Sequence, residues 1–255
     1  KIRHKIISMI TAIIFLAGMF SVIPLTAVAY GTYGSLTYNT YDSDGDGVYD
    51  YLTIASCAQP VTEVEIPAEI DGVPVTEIQQ YAFGGCNNLK NVIIPDRVVK
   101  IGKYAFYDCR SLKEITIPES VASIDNCAFK NCSVLETVLI KNPECEIYDS
   151  ADTIFNNLIF DEETGEDFNS INGIIYGYEN STAQAYAEKY GYNFKLFVQG
   201  DISKNDLIDL YDAIEVVKYI MKIRTFTETD KQFADFTGND AVDLYDAIEI
   251  ARTLI

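Results

Sequence analysis

Between Ile78 and Ile140 the chain repeats itself every 23 residues. Ala82-Phe83, Ala105-Phe106 and Ala128-Phe129 fall in register, as do Cys86, Cys109 and Cys132, and then Leu89, Leu112 and Leu135. Ile78, Ile101 and Ile124 precede them at a constant offset, and Pro95 and Pro118 follow. A period of this size means stacked supersecondary units, because one unit cannot bury its apolar face alone. After each Leu the pattern alternates. In Glu114-Ile115-Thr116-Ile117 the period of two sends Ile115 and Ile117 to one face of a strand and Glu114 and Thr116 to the other. Pro118 then stops the strand, since it has no N–H for a ladder. By the same alternation Asn91, Ile93, Thr137 and Leu139 point outward.

The repeats occupy 60–145, with a fainter first coil around Val64-Glu65-Ile66-Pro67. Residues 30–59 are expected to cap the open N-terminal end as a hairpin, with strands near Gly34–Tyr41 and Val48–Ala55. Residues 146–198 cap the other end. There Gly173–Tyr178 forms a strand, Ser181 or Thr182 caps a helix from Ala183 to Tyr190 that Gly191 closes, and Phe194–Val198 forms a last strand. The acidic stretch Asp161–Asp167 is expected to be an exposed loop. The periodic Cys86, Cys109 and Cys132 stack inward as buried thiols. Cys57, Cys127 and Cys145 lie outside that register, and a bridge among them cannot be assigned from spacing.

A second repeat, of 34 residues, occupies the end of the chain. Asp-Leu-Tyr-Asp-Ala-Ile-Glu occurs at 209–215 and again at 243–249. Each copy closes a twelve-residue stretch with oxygen-bearing side chains at positions 1, 3, 5, 9 and 12. That is the spacing of a calcium loop running into a helix. The ligands are Asp201, Ser203, Asn205, the Leu207 carbonyl, Asp209 and Asp212 in the first loop. In the second they are Asp235, Thr237, Asn239, the Ala241 carbonyl, Asp243 and Asp246. Ile208 and Val242 are expected to meet in a short strand contact. The following helices carry apolar residues at spacings of 4, 3 and 4: Leu210, Ile214, Val217 and Met221, then Leu244, Ile248, Ala251 and Ile255. Such a stripe is one face of a helix, and the two stripes are expected to pack together. A third and weaker candidate is Asp42, Asp44, Asp46 and Asp50, whose D-x-D-x-D-G start matches a calcium loop but which has Thr53 at position 12. A glycine-rich hairpin turn accounts for the same residues.

The 23-residue unit over roughly 60–145 resembles the BspA-like class of bacterial leucine-rich repeats. The tail, about 200–255, resembles the dockerin family, whose members plug secreted proteins into cohesins on cellulosome scaffolds. Two positions depart from that family: Asp206 and Asp240 stand where glycine is usual at position 6, and Ser203 and Thr237 stand at position 3. Together the resemblances imply a multi-domain α+β protein. A β-rich leucine-rich-repeat solenoid with capping elements is followed by a small α-helical dockerin with two EF-hand-like loops, binding two calcium ions. The dockerin resemblance also implies that Leu210, Tyr211, Lys218, Lys222, Leu244, Tyr245 and Arg252 contact a cohesin.

Composition removes several alternatives. Lys1, Arg3 and Lys5, the apolar run Ile6–Phe20 and Ala27-Val28-Ala29 predict an export signal over 1–29, and no membrane insertion after its cleavage. The net charge is −19, and it becomes more negative once that basic leader is gone, which disfavours nucleic acid as a partner. His4 is the only histidine and lies in the leader, so triad and imidazole–zinc chemistry are not available to the remainder. The expected function is a secreted, non-catalytic, cellulosome-associated protein, whose dockerin binds a scaffoldin cohesin and whose repeats bind a protein or glycan in extracellular polysaccharide degradation. The rivals are a surface adhesin acting through the repeats and, less favoured, a glycoside hydrolase using a carboxylate pair.

Overall fold

The computed structural model describes residues 29–155, 158–160, 167–169, 173–205 and 207–255. Residues 1–28 of the expected leader, most of the acidic loop at 161–167 and Asp206 lie outside the described residues. The N-terminal cap is a three-stranded antiparallel meander rather than a two-stranded hairpin: β1 (Ala29–Tyr33), β2 (Leu36–Tyr41) and β3 (Tyr51–Cys57). Its first strand begins inside the expected leader, at Ala29, whose amide and carbonyl both bond the Thr40 hydroxyl. The cap is continuous with the solenoid, because β3 pairs in parallel with the first inner strand of the repeats.

Each coil then contributes strands to two sides. In chain order these are β4 (Glu63–Glu65), β5 (Glu69–Ile70), β6 (Val73–Ile78), β7 (Asn91–Ile93), β8 (Lys100–Ile101), β9 (Glu114–Ile117), β10 (Ser123–Ile124), β11 (Thr137–Ile140) and β12 (Glu146–Ile147). One sheet runs β1-β2-β3-β6-β8-β10-β12. Its short parallel strands centre on Ile78, Ile101 and Ile124, a second strand per coil that periodicity alone did not reveal. The outer strands form two ladders, β4–β7 and the longer one that contains β9 and β11. The alternation holds: Ile115 and Ile117 are buried, while Glu114 and Thr116 are half-buried.

The third side of each coil has no strands, yet it is laddered as well. The Phe83 N–H donates to the Ala105 carbonyl at 2.7 Å, Phe106 to Ala128 at 2.8 Å and Phe129 to Thr153 at 3.0 Å. Every turn here contains two left-handed positions. Gly85, Asp108 and Asn131 occupy one of them, at φ of 76°, 62° and 65°; these are the residue types that tolerate such a backbone. Tyr81, Tyr104 and Cys127 occupy the other. Inside, Phe83, Phe106 and Phe129 form a parallel stack with centroids 4.9 and 5.2 Å apart, close to the spacing of strands in a sheet. The repeat cysteines are buried, and the Cys109 and Cys132 thiols donate to the Phe83 and Phe106 carbonyls at 3.2 and 3.0 Å.

Beyond the repeats come the hairpin β13 (Leu158–Phe160) and β14 (Asp167–Asn169), then β15 (Ile174–Gly177), α1 (Thr182–Tyr190) and β16 (Asn193–Leu196). The expected strand–helix–strand is present. Ser181 caps α1 by accepting from the Gln184 N–H, and Gly191 closes it at φ 72°. The outer ladder runs β9-β11-β15-β16, so the cap extends the sheet past the last repeat.

Two outcomes follow from this core. Phe106→Ala empties the middle of the phenylalanine stack and is expected to cost about 3–5 kcal/mol in denaturant unfolding. The half-buried Cys57 thiol is lowered to about 7 by the hydrogen bond from Cys86, partly opposed by burial, whereas Cys86 and Cys109 are raised and burial pushes Cys145 up to about 12. Iodoacetamide should therefore label Cys57 in the folded protein, with a rate rising through about pH 7. Cys86, Cys109 and Cys145 should label only after unfolding, as mass spectrometry of digests would register.

Candidate metal and docking site

The two twelve-residue loops fold through nearly the same hydrogen bonds, as their sequence repeat requires. Asp209 and Asp243 cap α2 (Leu210–Ile220) and α4 (Leu244–Arg252) by accepting from the Tyr211 and Tyr245 N–H groups, both at 2.7 Å. Asp212 accepts from the Ser203 N–H at 2.9 Å and the Asp209 N–H at 2.8 Å; Asp246 repeats this with Thr237 and Asp243 at the same distances. The position-12 carboxylate thus draws both limbs of its loop together. Asp201 accepts from the Asn205 N–H and the Ser203 hydroxyl, and Asp235 from the Asn239 and Asp240 N–H groups. Asn205 and Asn239 accept from the N–H of Leu207 and Ala241. Asp240 adopts the left-handed conformation that glycine supplies at position 6, with φ 63°.

The donor set fits a hard divalent cation. Asp212 and Asp246 are both 0% exposed, and no basic side chain among the described residues forms an ion pair with either. Burying carboxylates without a compensating positive charge is costly, and oxygen ligands at these spacings suit calcium. Among the described residues of the two loops, no three carboxylates approach within 4.8 Å of one another; they are directed onto loop N–H groups instead. Among the described residues the group that does converge to that distance is Asp42, Asp44 and Asp50. Asp46 is outside it, accepting from the Val48 N–H at 2.7 Å. Asp42 accepts from the Gly45 and Gly47 N–H groups, and Asp50 from the Ser43 N–H, which is how a glycine-rich turn is built.

The helices pack on different faces from those expected. α2 and α4 do lie against each other, but through Ala213 and Val216 on one and Ala247 and Ile250 on the other. Of the two expected stripes, Leu210, Ile214 and Met221, with Leu244, Ile248 and Ile255, are exposed, while Val217 and Ala251 are half-buried against the cluster. Asp212 and Asp246 turn inward to close the loops, and the residues one position later follow them into the core. Leu210 and Tyr211 are 61% and 53% exposed, Leu244 and Tyr245 58% and 69%. Lys218 lies 5.3 Å over the Tyr211 ring and pairs with the buried Glu215 at 2.7 Å. Burial pushes that carboxyl up, but Lys218 and Arg224 together hold it below its ordinary value. Lys222 is not on the helix; it follows the Met221 C-cap at φ 58°. Arg252 ends α4 and pairs with Glu249. Ile208 and Val242 pack around the same apolar cluster without a strand pairing between them.

Sequence reasoning missed α3 (Glu228–Ala234), although its signal was present: Thr227 and Asp230 form a capping box. This helix seats the tail on the solenoid. Phe233 packs edge-on against Tyr176 and Phe197, with centroids at 5.3 and 4.8 Å, and Leu139 is 0% exposed in the same cluster. Leu139 was expected to be open to solvent. It does face out of the sheet, but the tail covers it. Glu114 accepts from the Thr229 N–H at 3.3 Å, and Lys141 donates to Gln232 at 3.1 Å. An open cleft of about 740 Å³ remains beside this seat, bounded by Asn91, Ile93, Arg97, Gln232 and Asp240.

Comparison with known families agrees with this architecture. Residues 55–172 match the BspA type leucine rich repeat region in six copies, and residues 199–255 match the dockerin type I domain. The chain carries BspA-type repeats, a β-solenoid of about six turns, followed by a type I dockerin. Among solved structures, a leucine-rich repeat protein from Bacteroides capillosus is 23% identical, covering 59% of this chain and 99% of that one, with a TM-score of 0.46. The T. pallidum leucine rich repeat protein TpLRR is 20% identical, covering 69% and 97%, with a TM-score of 0.35. No curated protein matches the chain.

Because each position-12 aspartate also completes a capping box, Asp212→Ala and Asp246→Ala should each destabilise the tail by about 1–2 kcal/mol. Thermal unfolding followed at 222 nm would measure the loss.

Proposed function

We propose that the protein is a secreted, non-catalytic component of an extracellular polysaccharide-degrading assembly, held there by its dockerin. The dockerin type implies cohesin binding and calcium binding; the assembly, the export and the number of ions are our reading. The observation that carries it is the pair of matching, solvent-exposed Leu-Tyr anchors on α2 and α4. Exposed apolar residues of this size, presented on a rigid helix pair, suit the centre of a buried interface. Each loop would hold one calcium through the residues named above. The ion would supply the positive charge that the buried Asp212 and Asp246 lack and would lock the N-terminus of each helix.

Because the two anchor pairs sit on duplicated helices, the module can present either copy to a cohesin, in orientations related by its internal twofold. The repeats would bind a protein or a glycan. Their free surface is smaller than the strand pattern suggested, since the dockerin covers Leu139. Asn91 and Ile93, at the cleft, remain accessible. A surface adhesin is the rival reading, and its binding to cells would survive deletion of 200–255. A glycoside hydrolase would release reducing sugar from plant polymers.

Calorimetry with a panel of cohesins tests the reading. Binding is expected in calcium and not in EGTA. Tyr211→Ala or Tyr245→Ala alone should change affinity only a few-fold, whereas the double variant should lose about 30-fold or more. Near-total loss from either single change would exclude two orientations, and silence with every cohesin would remove the docking role.

A further inference from the structure

The two loops begin at the seat, not at a distance from it. Loop 1 starts one residue after Gly200, whose N–H donates to the Phe233 carbonyl at 2.7 Å, and the Asp201 N–H donates to the Val198 carbonyl at 3.0 Å. Loop 2 starts at Asp235, the C-cap of α3, and its carbonyl accepts from the Gln199 amide. Both position-1 aspartates are therefore bonded to the segment that leaves the solenoid after β16, at Val198 and Gln199. Gly200 has φ 99°, and a Cβ there would come within 2.7 Å of the Phe236 ring, so the crossing of the two loop starts is close and specific.

Lys204, inside loop 1, carries the same connection further. Its ammonium pairs with Asp230 of α3 at 2.8 Å and lies 5.2 and 5.8 Å from the Phe233 and Tyr176 ring centres. Its carbonyl accepts from Lys195 of β16 at 3.5 Å. Phe233 itself is held by Leu139, Tyr176 and Phe197 of the solenoid face.

We propose that the solenoid face is part of the calcium-binding apparatus. Leu139, Tyr176 and Phe197 act as positioning residues that, through Phe233, hold the starts of both loops in the geometry the cation needs. Ordering a loop costs conformational entropy, and a support that pre-organises it returns that cost as affinity. The neutral ligands Ser203 and Thr237 at position 3 leave each loop with less charge to attract the ion, so pre-organisation carries more of the affinity. Linkage is reciprocal: calcium must tighten the seat by the same factor by which the seat tightens calcium. The dockerin and the solenoid then form one rigid unit in calcium and loosen together without it.

This inference rests on calcium binding by the loops, and the experiment separates the two. Calcium titrations of the full chain by calorimetry would compare the wild type with Leu139→Ala and Tyr176→Ala, neither of which is a proposed calcium ligand, and with the milder Lys141→Ala, which removes the bond to Gln232. Leu139→Ala and Tyr176→Ala are expected to weaken calcium binding about five-fold or more, and Lys141→Ala in the same direction by less. A readout that needs no variant is hydrogen exchange over β16, expected to slow in calcium relative to EGTA in the wild type. Variants that bind calcium like the wild type, with β16 exchange indifferent to the ion, would overturn the proposal while leaving the loops as calcium sites. A wild type that takes up no calcium would remove both.

Discussion

The structure depends on a constraint of the backbone: successive coils hydrogen-bond to one another along up to three sides, with the outer strand ladder broken between β7 and β9. Two sides do this with strands and the third with turns whose N–H groups reach the carbonyls of the following coil, as Phe83 does to Ala105 and Phe106 to Ala128. That ladder fixes the coil spacing, and everything inside must stack at the same interval. Phenylalanine rings lie flat on one another, and cysteine is small enough to fit beside them while donating a hydrogen bond. The left-handed turn positions are what bend the backbone so that the third ladder can form. A 23-residue period is the outward sign of this spacing rule.

In the tail a different constraint governs. The position-12 aspartates have to reach back to positions 3 and 9, and they can do so only from the inner side of the helix. This sets the rotation of α2 and α4 about their axes. Small residues, Ala213 and Ala247, follow the aspartates inward and let the helices approach, while Leu210, Tyr211, Leu244 and Tyr245 are turned to solvent. One hydrogen-bonding requirement thus closes the loop, caps the helix and decides which face is offered to a partner.

The two halves meet through α3. Its Phe233 fills a position over the outer sheet that would otherwise expose Leu139 and Tyr176, so part of the solenoid surface serves the chain itself. The docking helices remain uncovered, which leaves the dockerin seated on one side and presented on the other. A partner bound at the Leu-Tyr anchors would therefore meet the solenoid at a set angle, without a flexible linker between them.

Much of this was legible in the residues. The repeat register, the inward Phe and Cys columns, the strand–helix–strand cap and the paired loops with their helix-capping aspartates follow from local periodicity and spacing, because each is decided by neighbours within one coil or one loop. The third cap strand, the second short strand per coil and the seat under Leu139 were not legible, since each depends on a partner far along the chain. The helix faces show the difference best. An apolar stripe at helical spacing states that Leu210 and Ile214 share a side, but both they and Ala213 and Val216 could have been the buried set. Local chemistry alone determined that the helices exist and where they begin. Only the tertiary structure decided which side faces inward, because a buried carboxylate tied to its loop outweighs a larger hydrophobic stripe that has no surface to meet.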